Sequence, residues 1–427
     1  MKLVIVGCGA AGATAAQFAR KQDRKADIVV LEKGSYPQYS KCALPWVVSG
    51  ELAPEDTIEF SREWFDRADI DLRLDTEVTD VDFESKAMHT ADGKEAYDVL
   101  ILATGAQPFS PVEMAGNTFF LRTLDDAVAV KKQAIPGSSA VVIGAGLIGL
   151  EAAEALREQD VEVTIVEFLP NLLLNMLDDD MAAGVRQGVP DDIVFRFDTR
   201  VTSLTAGDPM QVTVERDGDE DTIKADFVLV ATGNRPNVGL AEQLADDRAI
   251  QVDERCRTNI PDVYAVGDCT RYQDVMGSDV VVGLGSTAVR QAVVAGRNAV
   301  GGDATMPPLL NARTTRLFDM EIAAVGPTSE GMPFSPLTGK FPGSTLPDYM
   351  DGDRLLVKVL ADSHGRLVGA QAIGPGATQH VNRFAVAIQH GLTLEQFADV
   401  ETAYAPLVAP VFDASTVACN IARRRIR

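Results

Sequence analysis

An isolated cysteine, Cys42, stands between two glycine-rich runs, and these three places hold the residue types and spacings that could do chemistry. The first run, Gly7-Cys8-Gly9-Ala10-Ala11-Gly12, leaves the apolar segment Leu3 to Val6, and the second, Gly144-Ala145-Gly146-Leu147-Ile148-Gly149, leaves Ala140 to Ile143. Glycine is needed there because a pyrophosphate must approach the backbone closely and rest on the amides and positive dipole of a helix N-terminus. Each run is answered by an acid at the end of the next apolar segment, Glu32 after Ile28 to Leu31 and Glu167 after Val163 to Val166. A carboxylate so placed can accept both hydroxyls of an adenosine ribose. One such run alone reads equally as a chance turn. Two, each with its strand, helix and acid, predict two bound dinucleotides. Cys42 lies in Tyr39-Ser40-Lys41-Cys42-Ala43-Leu44-Pro45-Trp46. A helix beginning near it, with Lys41 adjacent, would lower the thiol pKa and keep it nucleophilic; a buried structural cysteine is the alternative.

These residues need elements to position them, and the chain has room. At 427 residues it can form about three domains, and 46% apolar residues supply a core. Residues 1 to 19 are apolar after Lys2 like a secretion signal, but the glycine run explains them better. No uninterrupted apolar run reaches about 18 residues, so no membrane span is expected and the expected location is the cytoplasm. Cys8, Cys42, Cys256, Cys269 and Cys419 have no paired spacing, which argues against a disulfide framework or a zinc site. None of the histidines, His89 and His364 in turn-like stretches and His380 and His390 flanking a helix, has metal-ligand spacing. A net charge of −23 makes a nucleic-acid partner unsuitable, because phosphate neutralisation needs clustered cations. The one basic cluster, Arg423-Arg424-Arg425-Ile426-Arg427, reads as a solvated tail. The aspartate-rich surface suits a high-salt cytoplasm, a GC-rich genome or simple solubility alike.

Residues 1 to about 105 read as strand, helix, strand, then a weak strand pair around Leu72 to His89, ending in Val99-Leu100-Ile101-Leu102-Ala103-Thr104-Gly105. That ending has an echo in Val228-Leu229-Val230-Ala231-Thr232-Gly233, so the chain carries two similar nucleotide-binding folds. The second unit looks inserted into the first, which Val263-Tyr264-Ala265-Val266-Gly267-Asp268 would complete. After Pro307-Pro308, strands such as Leu355 to Leu360 alternate with the amphipathic helix Val381 to Gln389. Taken alone, Asp268 is a turn aspartate as readily as a ligand.

Together the two fingerprints, the two Ala-Thr-Gly turns and Ala265-Val266-Gly267-Asp268 resemble the pyridine nucleotide-disulfide oxidoreductases, flavoproteins with two dinucleotide-binding domains, over essentially the full length. The resemblance implies an α/β fold of two Rossmann-like domains, one inserted in the other, with an α+β C-terminal dimerisation domain. The implied boundaries are 1–108 and 236–305 for FAD, 109–235 for the nicotinamide dinucleotide, and 310–427 for a homodimer interface. FAD is then expected on Gly7, Gly9, Ala11, Gly12, Glu32, Lys33, Ala103, Thr104, Gly105, Gly267 and Asp268. The nicotinamide cofactor is expected on Gly144, Gly146, Leu147, Ile148, Gly149, Glu167 and Gly233. Glu151 resembles the family glutamate on the nicotinamide side of the flavin, although a first-turn acid also serves the helix dipole. Glu167 would bond a ribose 2′-hydroxyl and repel a 2′-phosphate, and no arginine follows in Phe168-Leu169-Pro170, so NADH is expected over NADPH.

Cys42 has no second cysteine after it and resembles the single-cysteine branch of coenzyme A-disulfide reductases, NADH oxidases, NADH peroxidases and persulfide reductases. There the cysteine cycles through a mixed disulfide, a persulfide or a sulfenic acid. The oxygen- and peroxide-reducing members carry a histidine where this chain has Ala10, which disfavours those acceptors. Cys42-Ala43-Leu44-Pro45 followed by an aromatic looks most like the coenzyme A-disulfide and persulfide reductases, with a small thiol, disulfide or persulfide as substrate and coenzyme A as a candidate ligand. Tyr404 in Ala403-Tyr404-Ala405-Pro406 matches their tyrosine that reaches the partner subunit's active site and could protonate or orient the leaving thiolate; a buried, bonded tyrosine is the alternative. Their second tyrosine, before a Pro-Gly, appears here as Phe341. Arg20, Lys21, Lys41, Arg62 and Arg67 are candidates for a phosphate-binding patch, and Cys419 for a second thiol or an interface packing residue. The rival readings are an NADH oxidase or peroxidase, a reductase of a protein electron carrier, and a non-catalytic NADH-responsive flavoprotein.

Overall fold

A computed structural model describes residues 1–246 and 248–426; Arg427, the end of the basic cluster, lies outside the described residues. The chain forms two compact units, Met1–Phe109 with Arg122–Lys131 and Gly233–Leu309, and Ser110–Leu121 with Lys132–Thr232 and Leu310–Arg427.

The first unit is built on a parallel sheet with strands in the order Val263–Ala265, Val99–Leu102, Lys2–Val6, Asp27–Leu31 and Asp71–Arg73. Both faces of the strands other than Asp71–Arg73 are covered, which is why those read as largely apolar runs rather than alternating ones. Helix Ala10–Gln22 buries Ala13, Ala15, Ala16 and Ala19, small side chains that allow close packing, and lies against helix Gly285–Asn298. The expected strand pair around Leu72 to His89 needs correction. Leu72 belongs to the parallel edge strand, and a separate antiparallel sheet holds Val78–Asp82, Ala87–Thr90 and Gly93–Ala96, so His89 sits on a strand and not in a turn. An edge strand of three residues is too short to show a period.

The second unit repeats the parallel design in the order Val194–Arg196, Glu162–Val166, Ser139–Ile143, Phe227–Val230 and Thr118–Phe119, with helix Leu147–Arg157 following the central strand. It also contains an antiparallel five-stranded sheet, Arg313–Leu317, Met320–Val325, Leu367–Ile373, Arg354–Ala361 and Leu337–Ser344 in spatial order. Helices Ala377–Gln389 and Ala414–Arg423 pack on that sheet, and Phe384 stacks on Phe397 of helix Leu394–Ala398 at 4.4 Å between ring centroids. Phe384 is fully buried, a burial that contributes about 1.5–3 kcal/mol. The basic terminus is less free than a solvated tail. Arg423 ends the last helix within 3.6 Å of Glu395 and 3.9 Å of Asp399, and Arg425 donates to Thr338 Oγ1. No helix among the described residues is long and apolar enough to cross a membrane, and no group of metal-ligating side chains occurs among them.

Candidate functional site

In each parallel sheet the central strand has neighbours added on both sides, and the loops leaving its carboxyl end diverge there to form a crevice. In the first unit Gly7, Glu32, Ala103 and Val266 each directly follow one of four adjacent strands, so the predicted turns gather at the carboxyl end of the sheet. Gly7 has φ +102°, and a β-carbon on it would stand 2.4 Å from the Ala103 carbonyl oxygen; one on Gly12 would stand 1.8 Å from that of Gly7. Those two glycines therefore lock turn, helix and neighbouring strand together. Gly9, the N-cap of helix Ala10–Gln22, is different: a β-carbon there would meet nothing within 4 Å. The amides of the helix thus open onto space that no protein atom fills, a cradle that fits a pyrophosphate.

The carboxylate of Glu32 accepts from Cys8 N at 2.6 Å and Gly34 N at 2.8 Å. A carboxylate has about four acceptor positions, so room is left for ribose hydroxyls. On the far side of the crevice buried Gln291 accepts from Gly267 N at 2.7 Å and donates to Thr270 Oγ1 at 2.9 Å, fixing the turn that aims Asp268. Asp268 accepts from Arg122 Nη2 at 3.0 Å, and Arg122 Nε also donates to the Ala106 carbonyl. Arg122 and Gln291 gave no signal in the sequence, since both arrive from segments outside the motifs. Thr104 anchors its turn by donating to the Asn237 carbonyl at 2.7 Å, Ala11 is buried beneath Gly267, and Lys33 is exposed.

Cys42 lies in a 3-10 turn, Lys41–Ala43, that runs into the short helix Leu44–Ser49 with Pro45 in its first turn. Backbone bonds pin the approach to it: Ser40 N to the Thr57 carbonyl at 2.8 Å and Glu59 N to the Gln38 carbonyl at 3.1 Å. Tyr39 Oη accepts from Leu124 N, and burial pushes its phenol up to about 12, so it is a neutral strut. Cys42 is exposed while Cys8, Cys256, Cys269 and Cys419 are buried, which disposes of the buried-structural reading of Cys42. Burial also raises the other four thiols, Cys419 to about 12, so Cys419 is a packing residue and not a second reactive thiol. Dehydration at a crowded position, then the charge of Arg122, lower the Lys41 ammonium pKa, with Glu32 and Asp268 opposing. Lys41 therefore belongs to the charge cluster of the first crevice. Arg20 does not join it, being committed to the carbonyls of Ala68, Arg24 and Asp69.

The second crevice repeats the first almost bond for bond. Gly144 has φ +107°, a β-carbon on Gly149 would lie 2.0 Å from the Gly144 carbonyl oxygen, and one on Gly146 would meet nothing within 4 Å. Glu167 accepts from Ala145 N at 2.6 Å and Leu169 N at 2.8 Å. Leu147 and Ile148 form the first turn of helix Leu147–Arg157, and Gly233, φ +103°, follows the Ala231-Thr232 turn. Arg200 places its guanidinium 5.1 Å from the centre of the ring of Phe168, the residue after this acid. Glu151 accepts from Thr315 Oγ1 at 2.7 Å; burial raises its carboxyl pKa and that bond only partly offsets it.

Tyr404 is 48% exposed, not buried, and its hydroxyl lies 3.2 Å from that of Tyr349. Around it Val400, Leu407, Val408, Val411 and Phe412 are all more than half exposed.

The sequence matches the family model described as pyridine nucleotide-disulphide oxidoreductase over residues 1–299 and its dimerisation domain over 313–415. It is 33% identical to an NADH oxidase of Methanocaldococcus jannaschii, over 100% of this chain and 99% of that one. It is 30% identical to an NAD(P)H coenzyme A polysulfide/persulfide reductase of Pyrococcus horikoshii, over 98% of both chains. Among solved structures, an NAD-dependent persulfide reductase from A. fulgidus superposes with a TM-score of 0.93 at 31% identity, covering 100% of this chain and 83% of that one.

Proposed function

Because the chain belongs to the pyridine nucleotide-disulphide oxidoreductase family, we propose that it uses NADH to reduce a low-molecular-weight disulfide or persulfide through the single thiol of Cys42. It is an NAD(P)H-dependent flavoprotein oxidoreductase. The observation that carries the thiol assignment is the exposure of Cys42 on a pinned turn, where the other four cysteines are buried.

FAD, when bound, supplies the two-electron exchange between nicotinamide and sulfur. The chain's own residues do the rest. The amides opening at Gly9 receive one pyrophosphate and those at Gly146 the other; Glu32 and Glu167 orient the adenosine riboses, and Asp268, held by Arg122, takes the ribityl end. NADH is the expected donor through Glu167. The Cys42 thiolate attacks a substrate sulfur, the substrate S–S bond breaks as the Cys42 Sγ–S bond forms, and the departing thiolate takes a proton from the partner subunit's Tyr404, which regains one from water. Two electrons from NADH then release the second thiol, so one disulfide, one NADH and one proton give two thiols and NAD⁺.

The domain division 1–108 with 236–305, 109–235 and 310–427 is part of the same reading. So is a homodimer, supported by the dimerisation-domain match and by the apolar side chains exposed between Val400 and Phe412. A second reading, reduction of oxygen, draws on the name of the M. jannaschii relative; Ala10 in place of histidine weighs against it.

The test is anaerobic NADH oxidation with coenzyme A disulfide, coenzyme A persulfide, glutathione disulfide and polysulfide, on wild type beside Cys42→Ser. Turnover of roughly ten per second or more with one acceptor, lost in the variant that still binds FAD, is expected. Weak turnover equal in both proteins would move the function to oxygen or a protein carrier.

A further inference from the structure

The two strands Leu337–Ser344 and Arg354–Ala361 form a hairpin whose tip is closed by its own bonds: Thr345 N to the Asp353 carbonyl at 2.9 Å, Asp353 N to Thr345 Oγ1 at 3.0 Å, and Met350 N to the Pro347 carbonyl at 2.8 Å. Phe341, on the first of these strands, is registered against Val357 and has no hydroxyl to offer. The tip supplies one. Tyr349 projects from it, 70% exposed, with its hydroxyl 3.2 Å from the hydroxyl of Tyr404. Two phenols this close share one proton position between them: when one donates, the other is left with its proton free to point outward.

We propose that Tyr349 is a positioning residue for the sulfur chemistry, acting through Tyr404 by donating its hydrogen bond to the Tyr404 oxygen as that oxygen gives its proton to the leaving thiolate. The proposal rests on the disulfide or persulfide reading above and adds to it the second hydroxyl that Phe341 does not provide. The proton leaves Tyr404 for sulfur, the negative charge on the Tyr404 oxygen is held by the Tyr349 O–H, and a proton from water restores it. No electrons move between the tyrosines. The bond to Tyr404 holds the Tyr349 phenol above the usual tyrosine range.

The experiment compares Tyr349→Phe, Tyr404→Phe and the double variant, measuring disulfide or persulfide turnover against pH together with the rate at which NADH bleaches the flavin. Tyr404→Phe is expected to lose on the order of a hundredfold in turnover, the usual worth of a general acid. Tyr349→Phe is expected to lose roughly fivefold, the net worth of one hydrogen bond. It should also move the alkaline limb of the profile upward, because the oxyanion left on proton transfer loses the hydrogen bond that stabilises it. Flavin bleaching is expected to stay as in wild type, and the double variant to match Tyr404→Phe. An unmoved alkaline limb in Tyr349→Phe, or losses that multiply in the double variant, would overturn the proposal. If both single variants turn over normally, the role of Tyr404 falls with it, whereas Cys42→Ser decides the sulfur chemistry independently.

Discussion

Arg122 donates from Nη2 to Asp268 Oδ2 at 3.0 Å, with 16% and 17% of the two side chains exposed. In the proposed flavin site the pair would solve an electrostatic problem. A carboxylate facing a phosphate-bearing cofactor repels it unless a cation stands beside the acid, and Lys41 lies in the same field. Replacing Arg122 by Met should therefore weaken FAD binding by about 10- to 100-fold, the 1.5–3 kcal/mol of a charge-assisted hydrogen bond. Flavin retained after gel filtration, and flavin fluorescence on titrating the apoprotein, measure this directly. Full retention in Arg122→Met would mean that the guanidinium serves only the Ala106 carbonyl and its loop.

The three glycines of each fingerprint separate folding from cofactor binding. A β-carbon on Gly12 would overlap the Gly7 carbonyl, so Gly12→Ala is expected to give little folded protein. Gly9 has φ −71° and open space around it, and Gly9→Ala should fold, with the apoprotein's midpoint within about 2 °C of wild type because the N-cap change costs about 1 kcal/mol or less. Yet it should purify without flavin. Gly146→Ala should keep its flavin and instead raise the KM for NADH. Normal flavin content in Gly9→Ala would falsify the assignment of that cradle.

How much of this was legible in the sequence depends on how local each feature is. The glycine runs, Glu32, Glu167 and the parallel strands were readable because a motif and the two buried faces of a strand are written in consecutive residues. The turn at Gly267 was readable, but the Gln291 amide that fixes it was not, nor was Arg122, because tertiary packing brings one from a helix and the other from a bend, neither with a distinguishing pattern. Arg200 meets Phe168 only after strand Arg200–Thr205 has folded, which is why no local pattern marks that contact. Tyr349 sits at a hairpin tip, where nothing in the periodicity marks one tyrosine above another. The candidate patch of Arg20 with Lys41 fails for a related reason: residue type does not reveal that Arg20 is already bonded to three carbonyls.

Within the second unit, Lys358 Nζ lies 2.6 Å from both Asp178 Oδ2 and Asp180 Oδ1, and side chains of Lys358 and Asp178 are 10% and 7% exposed. Burial alone would raise the Asp178 carboxyl, but Lys358 and two bonds from Ser329 overturn this and hold it below the ordinary aspartate range. A carboxylate with a depressed folded pKa stabilises above its unfolded value of about 3.9, and that contribution is lost as pH falls from there through the folded pKa. Wild type should thus hold its thermal midpoint down to about pH 4 as far as this group is concerned. Lys358→Met removes the cation and leaves a buried, unpaired carboxylate, expected to cost about 3–5 kcal/mol at pH 7. Burial then has no opponent of that strength, so the Asp178 pKa rises and the sign inverts: stability is present below the unfolded pKa and declines as pH rises through the folded one. Melts from pH 4 to 8 should therefore show Lys358→Met gaining stability on acidification across the range where wild type gains none from this group. Parallel curves for the two proteins would show that Asp178 stays fully charged without Lys358, and that Ser329 rather than the ion pair carries its stabilisation.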